Sequence, residues 1–302
     1  MRFPVIFFMA FLFAACSSRK EIIPPAFKGE EAFDCLVKQV SFGPRVPGTE
    51  NSRHCQEYLI SFFESLGAQV DTMQFIHRNP LTFEETPMVN ILVHFHGTDS
   101  DSKARYLLAA HYDSRPRAEN DSDPAKKILP IPGANDGASG VAVLMELGRL
   151  FSEVKPRVNV DMALFDGEDW GEAGNLDEYF LGAKNFVTRI PRDHYRFAIL
   201  LDMVGDKDLK IYKEQFSSEY APKITNLIWK TAAELGQKAF VDSVGYAVYD
   251  DHLSLLTIGI PAADVIDFVY PEWHTSHDTP ENCSPHSLAS VGMVISTLIY
   301  RL

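Results

Sequence analysis

Three mainly apolar segments, 105–112, 159–166 and 196–203, each reach an Asp or His at the C-terminal end. Such runs lack the alternation of a sheet with one wet face, so they predict strands buried on both sides. Between them lie stretches of helical period, "GASGVAVLMELGRLF" at 137–151 and another near 178–189. Strands alternating with helices imply βαβ crossovers and an α/β sheet covered on both faces. In open α/β sheets, ligands sit beyond the carboxyl ends of the strands, where this chain places its polar residues.

The rest of the chain fits the same plan. Helices are expected at 28–40 and 51–67, and strands at "AQVDTMQFIH" and "MVNILVHF". A loop rich in Pro, Asp and Gly spans 114–136. Later come a helix near 219–236, a strand near 239–243, the strand "AADVIDF" and a last helix at about 287–301. No internal repeat divides the chain, so residues 28–302 are expected to form one catalytic α/β domain.

Acidic and imidazole groups collect at the strand ends. They are His111 and Asp113 in "AAHYDS", Asp136 in "GANDGASG", Glu168 and Asp169 in "FDGEDW", and Asp202 in "LLDMVG". Asp250 and Asp251 follow in "YDDH", and His274 in "EWHTSHDT". The stretch "ALFDGEDWGE" alone holds Asp166, Glu168, Asp169 and Glu172, which are expected on a ligand-binding rim rather than in the core. Clustered carboxylates need a compensating charge, and a divalent cation supplies it. Mixed His and carboxylate ligands suit zinc with a position open for substrate. Each fragment alone is an ordinary turn or polar loop; together, each beside a strand or helix start, they read as a site. The register of a calcium loop is missing, and no G-x-S-x-G elbow marks a serine hydrolase.

The ordered set "AAHYDS", "GANDGASG", "FDGEDW", "LLDMVG" and "EWHTSHDT" resembles the M28 family of zinc aminopeptidases and its glutaminyl cyclase branch, over about residues 28–302. The resemblance implies a single-domain, three-layer sandwich with a mixed, mostly parallel central sheet between helices. Aminopeptidases of the family bind two zinc ions and hydrolyse N-terminal residues. Cyclases bind one zinc (Zn2+) and convert N-terminal glutamine of peptides or proteins to pyroglutamate, releasing ammonia. Trp273 before His274, "FDGEDW" and "YDDHLSLLTIGIPAADVID" are similar to the cyclase branch. Both branches retain His111 and Asp202, so the ligand inventory does not count the ions. In one departure, Asp169 stands where many relatives carry Glu.

The resemblance implies zinc on Asp136, Asp169 and His274, with Glu168 as general base toward the substrate α-amine. Asp202 and Asp250 would share a proton near the leaving nitrogen, since two close acids do not both ionise easily. Asp113 would orient His111, and Trp170 and Trp273 would line the substrate pocket. The alternatives are a two-zinc aminopeptidase and a non-catalytic binding protein on the same fold; the latter should lack a base or a ligand, and none is missing.

The first residues carry a separate message. "MRFPVIFFMAFLFAACSSRK" has Arg2, an apolar run from Phe3 to Phe13 and small residues before Cys16. The run is short for a bilayer span and reads as a secretory signal, 1–15. "FAAC" resembles a bacterial lipobox, which implies cleavage before Cys16, a lipidated cysteine and a tether over 16–27; a plain cleaved signal is the alternative. The expectation is an exported protein, periplasmic or on the outer membrane, touching the membrane only through its lipid. In an exported chain Cys35 and Cys55, on adjacent helices, are the expected disulfide pair, with Cys283 left over. The formal net charge of -13 argues against nucleic acid as a partner. A single domain is compatible with a monomer.

Overall fold

Leu107 to Ala110 are all fully buried, and successive residues enter opposite cores: Leu108 and Ala110 one, Leu107 and Ala109 the other. This is a strand sandwiched between two helical layers. A computed structural model describes residues 22–99, 103–172 and 174–302. Its elements begin α1 (Gly29–Val40), α2 (Glu50–Ser65), β1 (Gln69–Arg78), β2 (Glu85–Phe95), β3 (Arg105–His111) and α3 (Ala138–Glu153). They continue β4 (Asn159–Phe165), α4 (Leu181–Val187), β5 (Ala198–Asp202), β6 (Ile211–Lys213), α5 (Gln215–Tyr220) and α6 (Pro222–Glu234). The chain ends with β7 (Phe240–Val244), α7 (Asp251–Thr257), β8 (Ala262–Ile266) and α8 (Pro285–Arg301).

The main sheet runs β1-β2-β4-β3-β5-β8. β2 pairs antiparallel with both β1 and β4, whereas β4, β3, β5 and β8 are mutually parallel. One face packs on α2, α3 and α6, with α1 and α8 packed in turn against α3, and the other face packs on α4 and α7. The fold is therefore a three-layer α/β sandwich with a mixed, mostly parallel sheet. β6 and β7 form a separate parallel ribbon.

Helix α3 is buried on nearly every side. It lies directly on the sheet because of Gly140, where an added Cβ would stand 2.1 Å from the Leu201 carbonyl oxygen. That close approach brings the turn before α3, with Asp136, to the carboxyl ends of β3 and β5.

Several expectations need correction. The helix expected over 219–236 is two helices, broken at Ala221, because Pro222 disfavours helical geometry in the residue before it. β6 and α7 were not expected at all; three residues and seven are too short to show a period. Cys35 and Cys55 do not pair. Each fills core space as a small apolar side chain, and burial pushes the thiols up to about 11 and about 12. The signal segment 1–15 and Cys16 lie outside the described residues. Within the expected tether, Phe27 is buried, its ring lying against Gly292 of α8. The folded body thus begins before residue 28.

Candidate metal centre and active site

Each site residue sits where a parallel strand runs out. β3 ends in His111 and leads to Asp113; β4 leads through Gly167 to Glu168 and Asp169; β5 ends in Asp202. Asp250 caps α7, and His274 lies in the loop after β8. The turn after β4 is possible because Gly167 takes a positive φ of 73°.

Two buried carboxylates hold the backbone of this site by the same device. Asp113 accepts from the amides of both Glu168 and Asp169, each at 3.2 Å. Asp278 accepts from Asn135 N at 2.8 Å and Asp136 N at 3.1 Å, and from the Tyr270 hydroxyl at 2.9 Å. Each aspartate thereby fixes two consecutive residues of a turn without a strand to support it. Asp113 also lies 3.4 Å from His111 Nδ1, so it steadies that imidazole as well as the turn carrying Glu168.

Asp136, Asp169 and His274 converge. His274 Nε2 stands 3.3 Å from Asp169 Oδ1 and 3.6 Å from Asp136 Oδ2. Its Nδ1 faces Glu119 Oε1 at 3.2 Å, which turns the other nitrogen toward the acids. Asp136 Oδ2 and Asp169 Oδ2 are buried without any hydrogen-bond partner. Orphaned carboxylate oxygens beside an imidazole are the donor set that a divalent cation completes. A second trio, His111, Asp136 and Asp202, shares Asp136 with the first. There His111 Nε2 lies 3.1 Å from Asp202 Oδ1 and 3.3 Å from Asp136 Oδ1.

The electrostatics match this crowding. Burial, and then the charge of Asp169, push Glu168 well above the usual carboxylate range. Burial and Asp169 likewise raise Asp136, to about 6. At Asp169 burial is outweighed by His274 and Arg115, which hold its carboxyl low. Burial and the neighbouring Asp202 push Asp250 up strongly. Its Oδ2 has no partner.

The acids face a cavity of about 350 Å³. Its apolar wall includes Trp273, Phe268, Ile266, Val248 and Met203. The Trp273 ring lies 4.0 Å from the His274 ring and 5.3 Å from Phe268. Phe180, Met203 and His274, all lining this cavity, take φ values of 59°, 46° and 56°. Left-handed backbone at non-glycine residues is costly and collects where side-chain placement matters.

Two expectations about "FDGEDW" change. Trp170 is not among the residues lining the cavity; its ring packs edge-on toward His77 of β1 at 6.5 Å. The tight turn that aims Glu168 and Asp169 inward carries the next residue away. Asp166 is not on the rim but fully buried, accepting from Val89 N at 2.9 Å, and burial with the Asp113 charge pushes it up to about 8. Glu168 and Asp169 are buried too, while Glu172 is exposed.

Sequence reasoning passed over Arg115, Glu119 and Asp278. Arg115 is fully buried, donating to Asp169 Oδ1 at 2.8 Å, to Glu119 Oε1 at 2.6 Å and to the Tyr179 hydroxyl at 2.7 Å. It ties Glu119, which faces His274 Nδ1, to Asp169, which faces His274 Nε2. Its only signal was an Arg in the polar loop after "AAHYDS". Asp278 stood inside the quoted "EWHTSHDT".

Gly137 admits no side chain, since an added Cβ would stand 2.6 Å from His111 Cε1 and Nδ1. Gly137→Ala should cost about 1–3 kcal/mol as overpacking and displace the His111 ring. Thermal unfolding together with zinc content would check this; an unchanged midpoint would refute it.

Buried acids and imidazoles meeting at the carboxyl edge of a mixed α/β sandwich define a metal-dependent enzyme of the zinc-exopeptidase class. The chain belongs to peptidase family M28, whose family model matches residues 90–299. Among solved structures it is similar to a glutaminyl cyclase of Bacteroides thetaiotaomicron, 34% identical with a TM-score of 0.87 over 93% of this chain and 100% of the other. A Zn-dependent exopeptidase from Parabacteroides distasonis is as close, 33% identical with a TM-score of 0.87 over the same shares. An aminopeptidase of Bacillus subtilis is 25% identical over 64% of this chain, which spans only 40% of that relative's length.

Proposed function

We propose that this enzyme is a zinc-dependent glutaminyl-peptide cyclotransferase, closing N-terminal glutamine to pyroglutamate with release of ammonia. The observation that carries the reading is an asymmetry between the two trios. Asp136 and Asp169, the two carboxylates nearest His274 Nε2, each keep one buried oxygen, Oδ2, without a hydrogen-bond partner, while His111 Nε2 is already at hydrogen-bond distance from Asp202 Oδ1. That asymmetry supports a reading with one cation, on Asp136, Asp169 and His274. The cyclase structure at 34% identity over nearly the whole chain supports the same reading.

Zinc, when bound, supplies Lewis acidity to the γ-carboxamide of the substrate glutamine. The chain's own groups do the rest. Trp273 and Phe268 give a flat apolar wall for the short side chain, which must fold back on its own amine. Glu168 takes a proton as the α-amine nitrogen bonds to the γ-carbon. It returns that proton to the departing nitrogen, so the C–NH2 bond breaks and ammonia leaves. Burial and the neighbouring Asp202 push Asp250 toward its protonated form, the form that can donate a hydrogen bond to the leaving group.

The second reading is a two-zinc aminopeptidase, favoured by the trio of His111, Asp136 and Asp202. Incubating the protein with a Gln-peptide separates the two. The expected product has lost one ammonia and no residue, and a chelator abolishes the loss. A peptide shortened by one residue, with two zinc ions per chain, would establish the aminopeptidase instead.

A further inference from the structure

The active-site cavity does not end at the catalytic acids. A second cavity of about 340 Å³ adjoins it, and Leu176, Phe180 and Tyr249 line both. Beyond that shared ridge its walls are Val187 of α4 and Leu253 and Thr257 of α7. Leu176 and Tyr249 are 47% and 56% exposed, so the ridge presents apolar surface to anything entering from solvent.

This groove is built rather than incidental. Phe180 holds its left-handed backbone while donating its amide to the Glu168 carbonyl at 2.9 Å, which locks the ridge to the catalytic turn. Lys184 Nζ donates to the Leu176 carbonyl at 2.8 Å and the Asp177 carbonyl at 3.1 Å, fixing the turn that carries Leu176. The Lys184 ammonium keeps its charge, but Asp177 beside it on the groove lining offsets that charge, so the apolar walls are left to decide selection.

We propose that this groove receives the residue following the N-terminal glutamine of the substrate and selects apolar side chains there. The proposal rests on the cyclisation reading, because a glutamine in the first cavity leaves the rest of the peptide to cross the shared ridge. An aliphatic or aromatic side chain covers Leu253 and Val187 there, whereas glycine leaves them wet and glutamate meets an acidic protein.

The test is a set of Gln-X-Ala amides with X as Leu, Phe, Gly or Glu, alongside glutamine amide, which has no second residue. Partial burial of X should make kcat/KM for Leu and Phe about tenfold higher than for Gly. Glu should fall below Gly. Leu253→Asp should bring Leu and Phe to within about twofold of Gly while glutamine amide turns over unchanged. Thr257→Glu, at an exposed position on the same wall, should reduce the preference in the same direction. A series flat in X, with glutamine amide still cyclised, overturns the groove alone. So does a preference that survives both substitutions. If neither glutamine amide nor any peptide releases ammonia, the cyclisation reading falls and the groove proposal with it.

Discussion

Glu168→Gln keeps its zinc and loses nearly all turnover. The amide matches the carboxylate in shape, and the turn does not depend on the side chain, because Asp113 grips the backbone amides of residues 168 and 169. Glu168 is nearly buried and pushed toward its protonated form by burial and by Asp169, so a neutral side chain relieves repulsion rather than creating it. What disappears is the only function asked of it, accepting and returning a proton. General acid–base catalysis is worth about 100- to 10,000-fold, or roughly 3–5 kcal/mol of barrier. Ammonia release from a Gln-peptide, measured with metal content on the same sample, would show it. A variant with full zinc and more than about a tenth of the normal rate would remove Glu168 from the mechanism.

His274→Ala loses metal and activity together. Among the described residues His274 is the imidazole that joins Asp136 and Asp169 in one candidate ligand group, with Nε2 at 3.3 Å from Asp169 Oδ1. Without it two carboxylates are left to repel each other, and Asp136, already raised to about 6 by burial and by Asp169, is pushed further toward its protonated form. Even indirect supports of a metal change affinity about 10- to 100-fold, so a lost ligand should exceed that. The left-handed backbone at residue 274, φ 56°, costs alanine roughly 1–2 kcal/mol, somewhat more than it costs histidine, and the fold should survive that. Zinc titration followed by circular dichroism would separate the cases. Retention of zinc at normal affinity would mean that the cation sits elsewhere, for instance on His111, Asp136 and Asp202.

The contrast between Asp169 and Arg115 shows what can be read along a chain. Asp169 was visible because it follows an apolar strand and a glycine, and that local order has a meaning in any α/β sheet. Arg115 looked like one more charge in a polar loop, yet it is fully buried and bonded to Asp169, Glu119 and Tyr179. Nothing within a few residues of position 115 announces partners 54 and 64 positions away. Trp170 failed for a related reason, since adjacency to two site residues says nothing about the side of the turn a ring will take. Cys35 and Cys55 lie on neighbouring helices, and adjacency of elements still left their thiols apart in the core.

By itself the sequence determined the layered α/β plan, the strands that form its middle and the acids and imidazoles at their carboxyl ends. Those follow from local periodicity, because a strand buried on both faces is apolar over most of its length and usually turns polar where it ends, although Asp161 and Asp264 are buried within β4 and β8. Tertiary structure alone decided which oxygens remain without partners, which carboxylates hold backbone instead of metal, and where the cavity continues past the catalytic acids. Those depend on distances between segments far apart in the chain, which packing sets and no local pattern encodes.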